Sequence, residues 1–416
     1  MFNYSEKNKV LIRLISSTAI AQVIPFAISP ILTRLYSPSD FGYFSFFCSL
    51  VAVFAVWANG RFELAIVLGR QKKVSIALFY IGLLFSFSVC LLLLILGVIL
   101  KNYLINIGFG EFTFPLLSFY IVVVLGVSSN SLFNYYLTKL ERFKTIGNAL
   151  IGKAIIISIL QIVFGFFELG GEGLVLAWFL AFLSSSILMY MYGAKNELPF
   201  QGLGARKLYV FFKAYIRFPF FSAPASLLST ISSQANNLLI PFVFSMSTLG
   251  LYSLAERLLS APITLIGNSI SQVYFKAISS DPNNAMVEFK SALLKLSIIS
   301  ILIFFVVQLF ANSLFVLLFG DEWAGAANIA KLFSIQFCVQ LIISPLLVTL
   351  QIYKKNKIEL LLQFLMCLTY MSVYLVAYIY AWSFLELAKC LSLLVAFNYF
   401  VIGAYLYSLV KKNMRL

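Results

Sequence analysis

The segment LTRLYSPSDFGYFS, from Leu32 to Ser45, returns in altered form as IPFVFSMSTLGLYS, from Ile240 to Ser253. Ser37, Ser39, Gly42 and Ser45 stand against Ser245, Ser247, Gly250 and Ser253, each pair 208 residues apart in a chain of 416. The doubling predicts two copies of one helical hairpin, each opening one half of the chain. Serine and glycine at these places are expected to let two long helices reverse tightly.

What surrounds the two copies is built for lipid. Hydrophobic residues make up 62% and charged residues 11% of the chain, where a soluble domain has about 45–50% apolar and about 25% charged. Mean hydropathy is +0.97. A span needs about 20 mostly apolar residues. Twelve such runs are read: 11–33, 40–60, 75–100, 114–137, 146–167, 173–192, 218–242, 249–274, 292–318, 326–352, 358–381 and 384–409. No small-residue cleavage site follows Met1–Lys9, so no cleaved signal is expected.

Cys48, Cys90, Cys338, Cys367 and Cys390 lie singly in apolar runs, and there is no histidine. A disulfide framework and a zinc site are both unexpected, and no cofactor or metal is expected. The net charge of +15 is explained by where the charges fall. One set of span ends gathers Lys7, Lys9, Arg61, Arg70, Lys72, Lys73, Lys139, Arg142, Lys144, Lys195, Arg206, Lys207, Lys213, Arg217 and later lysines. The other set holds Arg34 and Lys101 against Asp40, Glu111, Glu168, Glu172, Asp321 and Glu322. Loop Lys/Arg bias places the basic side in the cytoplasm, with both termini there. The excess therefore faces anionic lipid and is not a nucleic-acid footprint.

The longest loop, around 193–217, contains Pro199, Gly202 and Gly204 and reads as a linker. GLGARK (202–207) lacks phosphate-loop spacing. The expected organisation is all-α and polytopic: an N-lobe over 1–195, a cytoplasmic linker over 196–217 and a C-lobe over 218–416. Six spans per half keep both halves in one orientation, as in transporters made of parallel repeats around a central cavity.

Polar residues mark candidate cavity faces by their i, i+3/i+4 spacing. The first span carries Thr18, Gln22, Pro25, Ser29 and Thr33, and the fourth Asn130, Asn134 and Thr138. The seventh carries Ser222, Ser226, Thr230, Ser233 and Asn237, with Gln234 beside them, and the eighth Ser253, Arg257, Ser260, Thr264 and Asn268. The same stripes would also serve ordinary helix packing. A charge in mid-bilayer costs about 2.5–3.5 kcal/mol on insertion scales and so faces a cavity or a partner. Glu256 and Arg257, two turns into the eighth span, are the leading candidates. Lys153 in the fifth span either faces the cavity or snorkels. Arg13, Arg61 and Arg217 lie near the basic mouth and Arg34 near the other, all placed to snorkel. Glu63 stands close enough to Arg61 for a local pair. Cations among these candidates outnumber acids, which suits a path for phosphate, since arginine grips phosphate in a bidentate manner.

ISPILTRLYSPSDFGYFS (28–45), GRFELAIVL (60–68), RFPFFSAPASLLSTISSQANNLLIPF (217–242), GLYSLAERLLSAPITLIGNSISQVYF (250–275) and LFGDEWAGA (318–326) resemble, in order, bacterial polysaccharide-biosynthesis transporters. These are the Wzx-type O-antigen flippases of the multidrug/oligosaccharidyl-lipid/polysaccharide exporter superfamily. The resemblance implies a V-shaped, two-lobed fold of twelve helices. It implies transfer of an undecaprenyl-pyrophosphate-linked oligosaccharide from the cytoplasmic to the periplasmic leaflet, driven by an ion gradient. Polysaccharide polymerase and chain-length machinery are the partners it implies, beside membrane lipids. Arg34, Arg61, Glu63, Glu256 and Arg257 stand in the matching segments. Two other functions stay open: a drug exporter on the same fold, which would want cavity carboxylates, and a membrane polymerase, for which the short loops offer no catalytic constellation.

Overall fold

The structure, a computed structural model, describes residues 4–69, 71–99, 114–195, 197–198, 204–280, 284–353 and 355–413, with backbone alone at 4–15, 114–117, 279–280, 356 and 413. The described residues form helices and turns, without strands. In chain order the helices are α1 (Tyr4–Leu35), α2 (Pro38–Ala58), α3 (Phe62–Leu68), α4 (Lys72–Ile99), α5 (Phe114–Lys139), α6 (Phe143–Phe166), α7 (Gly170–Met189), α8 (Ala205–Ala214), α9 (Ala223–Ser233), α10 (Ala235–Val243), α11 (Met246–Pro262), α12 (Asn268–Ser280), α13 (Ala285–Phe319), α14 (Ala324–Ile343), α15 (Val348–Ile352), α16 (Asn356–Ile379) and α17 (Phe384–Asn413).

Eleven helical stretches among the described residues are long and apolar enough to cross a membrane. They match the expected spans except 218–242. That span is helical but broken, as a π-turn at Phe218–Ser222, then α9, then α10. The break falls at Gln234, whose φ of −99° and ψ of 6° leave the helical path. Pro219, Pro224 and Pro241 lie along it, each removing a backbone donor. Pro262 likewise ends α11 in a π-turn over Ile263–Gly267. Pro25 and Pro30 leave α1 continuous.

The doubled segment starts α2 and α11. Ser37 caps α2 reciprocally: its backbone N–H donates to Asp40 Oδ2 at 2.9 Å, and its Oγ accepts from the Asp40 N–H at 3.3 Å. Pro38 fills the first helical position, where no donor is needed. Ser245 does the same work for α11, accepting from the Thr248 N–H at 3.1 Å. The serines therefore serve as expected, but the glycines do not form the turns. Gly42 and Gly250 lie inside the helices, where α2 and α11 cross. A Cβ on Gly42 would stand 1.8 Å from the Met246 carbonyl oxygen, and one on Gly250 1.7 Å from that of Pro38. The contact is reciprocal, with each copy's glycine against the other copy's first helical residue. The sequence repeats because the two copies are each other's packing partner.

The chain divides into two compact units, Met1–Ile28 with Phe47–Thr230, and Ser29–Phe46 with Ile231–Leu416. This differs from the expected division at 195 and 218 in two places. The hairpin 29–46 joins the later residues because the glycine crossing holds it there, as does Trp323. That side chain is fully buried, donates Nε1–H to the Thr33 carbonyl at 3.1 Å and meets the Phe41 ring edge-on at 4.9 Å. The segment up to Thr230 joins the earlier residues because Leu208, Phe211, Phe212, Tyr215 and Phe218 pack on the core of Phe62, Ile66, Leu78, Tyr136 and Leu137.

In the first unit α4, α5 and α7 pack closely, with Gly82 under Leu132 and Gly193 under Leu137. Gly60 and Arg61, with φ of 52° and 59°, turn α2 into α3. Asn59 pins this turn: its Nδ2 donates to the Ser128 carbonyl at 3.1 Å and its Oδ1 accepts from Ser86 at 3.1 Å. In the second unit α14 packs against α13, α17 and α11. Tyr274 and Thr349 share a buried hydrogen bond of 2.8 Å there.

Candidate functional site

The break at Gln234 starts α10 with two buried asparagines side by side, Asn236 and Asn237. Facing them on α11 are Tyr252 and, one turn later, Glu256. Asn237 Nδ2 donates to Glu256 Oε2 at 3.1 Å and to Gln234 Oε1 at 3.2 Å. Tyr374 of α16 donates to Asn236 Oδ1 at 3.0 Å, and Asn236 Nδ2 donates to the Tyr252 oxygen at 2.7 Å. Of these groups, Asn237 reaches the carboxylate directly. Asn237 Oδ1 is buried without a hydrogen-bond partner, and a buried polar atom left so costs about 1–3 kcal/mol.

Arg257, the next residue, leaves the helix about 100° round from Glu256 and turns to the hairpin. Its Nη1 donates to Ser29 Oγ at 3.4 Å, and its guanidinium stands 5.8 Å from the centre of the Phe41 ring. The doubled segment thus positions this cation, because the glycine crossing presses α2 onto α11. Arg34, near the same hairpin, lies against Gly320, where a Cβ would meet its Nη1 at 2.8 Å. Gly320, at φ 97°, leaves that room.

The first unit holds the other expected residues. Arg61 and Glu63 form an ion pair of 3.1 Å. Glu63 is buried and its Oε2 has no hydrogen-bond partner. Lys153 of α6 holds its Nζ 4.1 Å from the centre of the Phe182 ring, which itself meets Trp178 edge-on at 4.8 Å. Asn130 Nδ2 donates to Ser186 Oγ at 3.1 Å, joining α5 to α7 as packing would require. The Asn134 carbonyl accepts from Thr138 at 2.8 Å, Gln22 is exposed on α1, and Arg217 is exposed beyond the end of α8. The Arg13 side chain lies outside the described residues.

Of the thirteen expected residues, five therefore share the second unit: Arg34, Gln234, Asn237, Glu256 and Arg257. Asn236 and Tyr374 were not foreseen as parts of the site. The Asn236–Asn237 doublet is a sequence signal for the first. Tyr374 carries none, because it comes from a helix more than a hundred residues away. Chemically, a carboxylate at the end of a donor chain can hold a proton or a small cation. An arginine presents its donors in a fork that suits phosphate oxygens. Among the described residues no group of three His, Cys, Asp or Glu could hold a metal ion.

A family model described as polysaccharide biosynthesis protein matches residues 31–328. Among solved structures, the chain is similar to the lipid II flippase MurJ in an inward closed conformation. They share a TM-score of 0.73 and 13% identity over 97% of this chain and 87% of that one. An inward-facing multidrug resistance MATE family transporter of the MOP superfamily gives a TM-score of 0.61 and 13% identity, over 97% of this chain and 94% of that one. A MOP superfamily transporter from Pyrococcus furiosus, with a binding pocket of reverse polarity, gives 0.63 and 13%, over 98% and 96%. No curated protein sequence matches the chain.

Proposed function

Because this chain belongs to the family of polysaccharide biosynthesis proteins, we propose that it flips an undecaprenyl-pyrophosphate-linked oligosaccharide across the bacterial inner membrane. The cargo is an O-antigen or related surface-polysaccharide repeat unit. It travels from the cytoplasmic to the periplasmic leaflet by alternating access of the two halves, 1–195 and 218–416, joined by the linker. Both termini are cytoplasmic, as the basic loop ends require. Polymerase and chain-length machinery would receive the exported unit. No bond is made or broken in the cargo, so the protein acts as a transporter and not an enzyme.

The observation that carries this proposal is Arg257, a membrane-embedded guanidinium set on a hairpin of serines beside a carboxylate that leads elsewhere. Arg257 is assigned to the pyrophosphate, and Glu256, with its chain of donors, to the coupling ion or proton. MurJ is a lipid II flippase with the same fold, which supports a lipid-linked cargo. The test is deletion in the native host, with extraction of lipid-linked sugars and a sidedness assay in spheroplasts. Complete pyrophosphate-linked units held facing the cytoplasm, with surface polymer lost, are the expected result. Normal polymer with altered drug tolerance would reject it in favour of a drug exporter. That second function has the Glu256 carboxylate in its favour. Exported but unpolymerised units would instead identify a polymerase.

A further inference from the structure

The helix α8 and the residues after it point to a partner that flipping does not call on. Its sequence, ARKLYVFFKA, is strongly amphipathic. Leu208, Phe211, Phe212 and Tyr215 recur at helical spacing and pack inward, with the Phe212 ring 5.9 Å from Phe62. The chain before α8 is held as firmly. Tyr136 donates to the Glu197 carbonyl at 2.7 Å and Tyr80 to that of Leu198 at 3.0 Å. The Glu197 carboxylate accepts from Arg142 at 2.7 Å and pairs with Lys72. With one face and one end fixed, the opposite face of α8 cannot turn in.

That opposite face carries Arg206, Tyr209, Val210 and Lys213, again at helical spacing. Tyr209 is 65% and Val210 57% exposed, which a face meant for water alone does not explain. From Leu198 to Ala255 the sequence has no acidic residue to balance its cations. Beyond α8, Arg217, Phe218, Phe221 and Ser222 line an open cleft of about 600 Å³, a cation beside aromatic walls. Lysine and arginine flanking tyrosine and aliphatic side chains on one face of a short helix is the pattern of a helix lying in a membrane interface.

We propose that the outward face of α8 docks on anionic phospholipid headgroups at the basic side of the membrane, with Tyr209 and Val210 at the acyl boundary and Arg206 and Lys213 among the phosphates. Each basic side chain so placed raises affinity for an anionic surface about fivefold, and the gain is screened by salt. The helix would then tie the first unit to the bilayer surface at the linker between the halves, independently of what the protein transports.

The test is native mass spectrometry of the full chain, released from nanodiscs of phosphatidylethanolamine mixed with phosphatidylglycerol. Retained phosphatidylglycerol is counted for the wild type, for Arg206→Gln/Lys213→Gln, and for Lys411→Gln/Lys412→Gln as a control at another basic end. The expected result is preferential retention of phosphatidylglycerol that falls more than tenfold in the α8 variant, is weakened by salt, and survives in the control. A second readout uses Tyr209→Ser, which keeps every charge: it should lose part of the retention without changing its salt dependence. Equal retention of the two lipids, or an equal fall in both double variants, would overturn the proposal and leave α8 as a solvated face or a protein-docking surface. The readout needs no transport, so it stands apart from any failure of the flippase assignment.

Discussion

An arginine and a glutamate stand within two residues of each other twice in this chain, and the two couples are held in opposite ways. In Arg61 and Glu63 a left-handed residue at the head of α3 brings the side chains together at 3.1 Å, with the carboxylate buried. In Glu256 and Arg257 adjacency on one straight helix sends them about 100° apart. The glutamate goes to Asn237, and the arginine to Ser29 and Phe41. The first couple neutralises itself and stabilises a turn. In the second the two side chains diverge to different partners. On the proposed function, the first couple is the structural one and the second the working one.

The strongest way to break that contrast is to remove half of the structural couple. Arg61→Ala leaves Glu63 buried without its cation, which costs about 3–5 kcal/mol. Thermal unfolding in detergent should show a large fall in Tm and in yield. Arg61→Met combined with Glu63→Leu should recover most of it, because exchanging both partners of a buried pair for apolar groups is close to neutral. If the double variant folds but no longer restores surface polymer, Arg61 belongs with the binding residues instead.

The working couple is tested on flux rather than stability. Arg257→Ala should lower surface polymer about 10- to 100-fold at normal protein level, the effect of losing hydrogen bonds to a charged group worth about 1.5–3 kcal/mol. Arg257→Glu should be no better, and Arg257→Lys should fall between, since an ammonium lacks the fork. Full polymer from the alanine and glutamate variants would remove Arg257 from the pathway.

Much of this was legible in the sequence, and the exceptions have physical causes. The spans were readable because a bilayer demands long apolar runs. The span over 218–242 passed as an ordinary one because hydropathy is blind to a break at Gln234 between flanking apolar residues. Glu256 and Arg257 could be singled out because charge in lipid is costly. Their partners could not, since Asn237 and Ser29 reach them only through folding. The glycines misled most. Spacing alone suggested turn residues, whereas Gly42 and Gly250 are conformationally ordinary and are needed for close approach between two helices. A repeat shows that two segments are alike, not that they touch.

That crossing offers a sharper probe of the contrast. Gly42→Val places a Cβ 1.8 Å from the Met246 carbonyl oxygen, so the helices must part, which should cost about 3 kcal/mol or more, beyond ordinary overpacking. Because the hairpin carries Ser29 and Phe41, the variant should also reduce flux, while the Arg61–Glu63 pair stays intact. Gly250→Val should match it, since the contact is reciprocal. A Tm near that of the wild type for both would mean that the helices do not cross this closely.

The smallest effect belongs to a third acid with cations on both sides. Glu197 accepts from Lys72 and Arg142 outside the spans, and its carboxyl is held below its ordinary value, first by the Lys72 hydrogen bond and then by the charges of both cations. A depressed value in the folded state means a contribution that is complete above the ordinary 4.5 and is lost as pH falls through the lower folded value. The site is partly exposed, so solvent screening limits the contribution to about 1 kcal/mol or less. The Tm difference between wild type and Glu197→Gln should be steady from pH 7 to pH 5 and close only under more acidic conditions. No difference at any pH would mean that the clamp before α8 rests on Tyr136 and Tyr80 alone, and one that persisted through the acid range would mean that Glu197 acts other than through its charge. The pattern would then differ from the Arg61–Glu63 couple, in which removing the cation leaves a buried carboxylate.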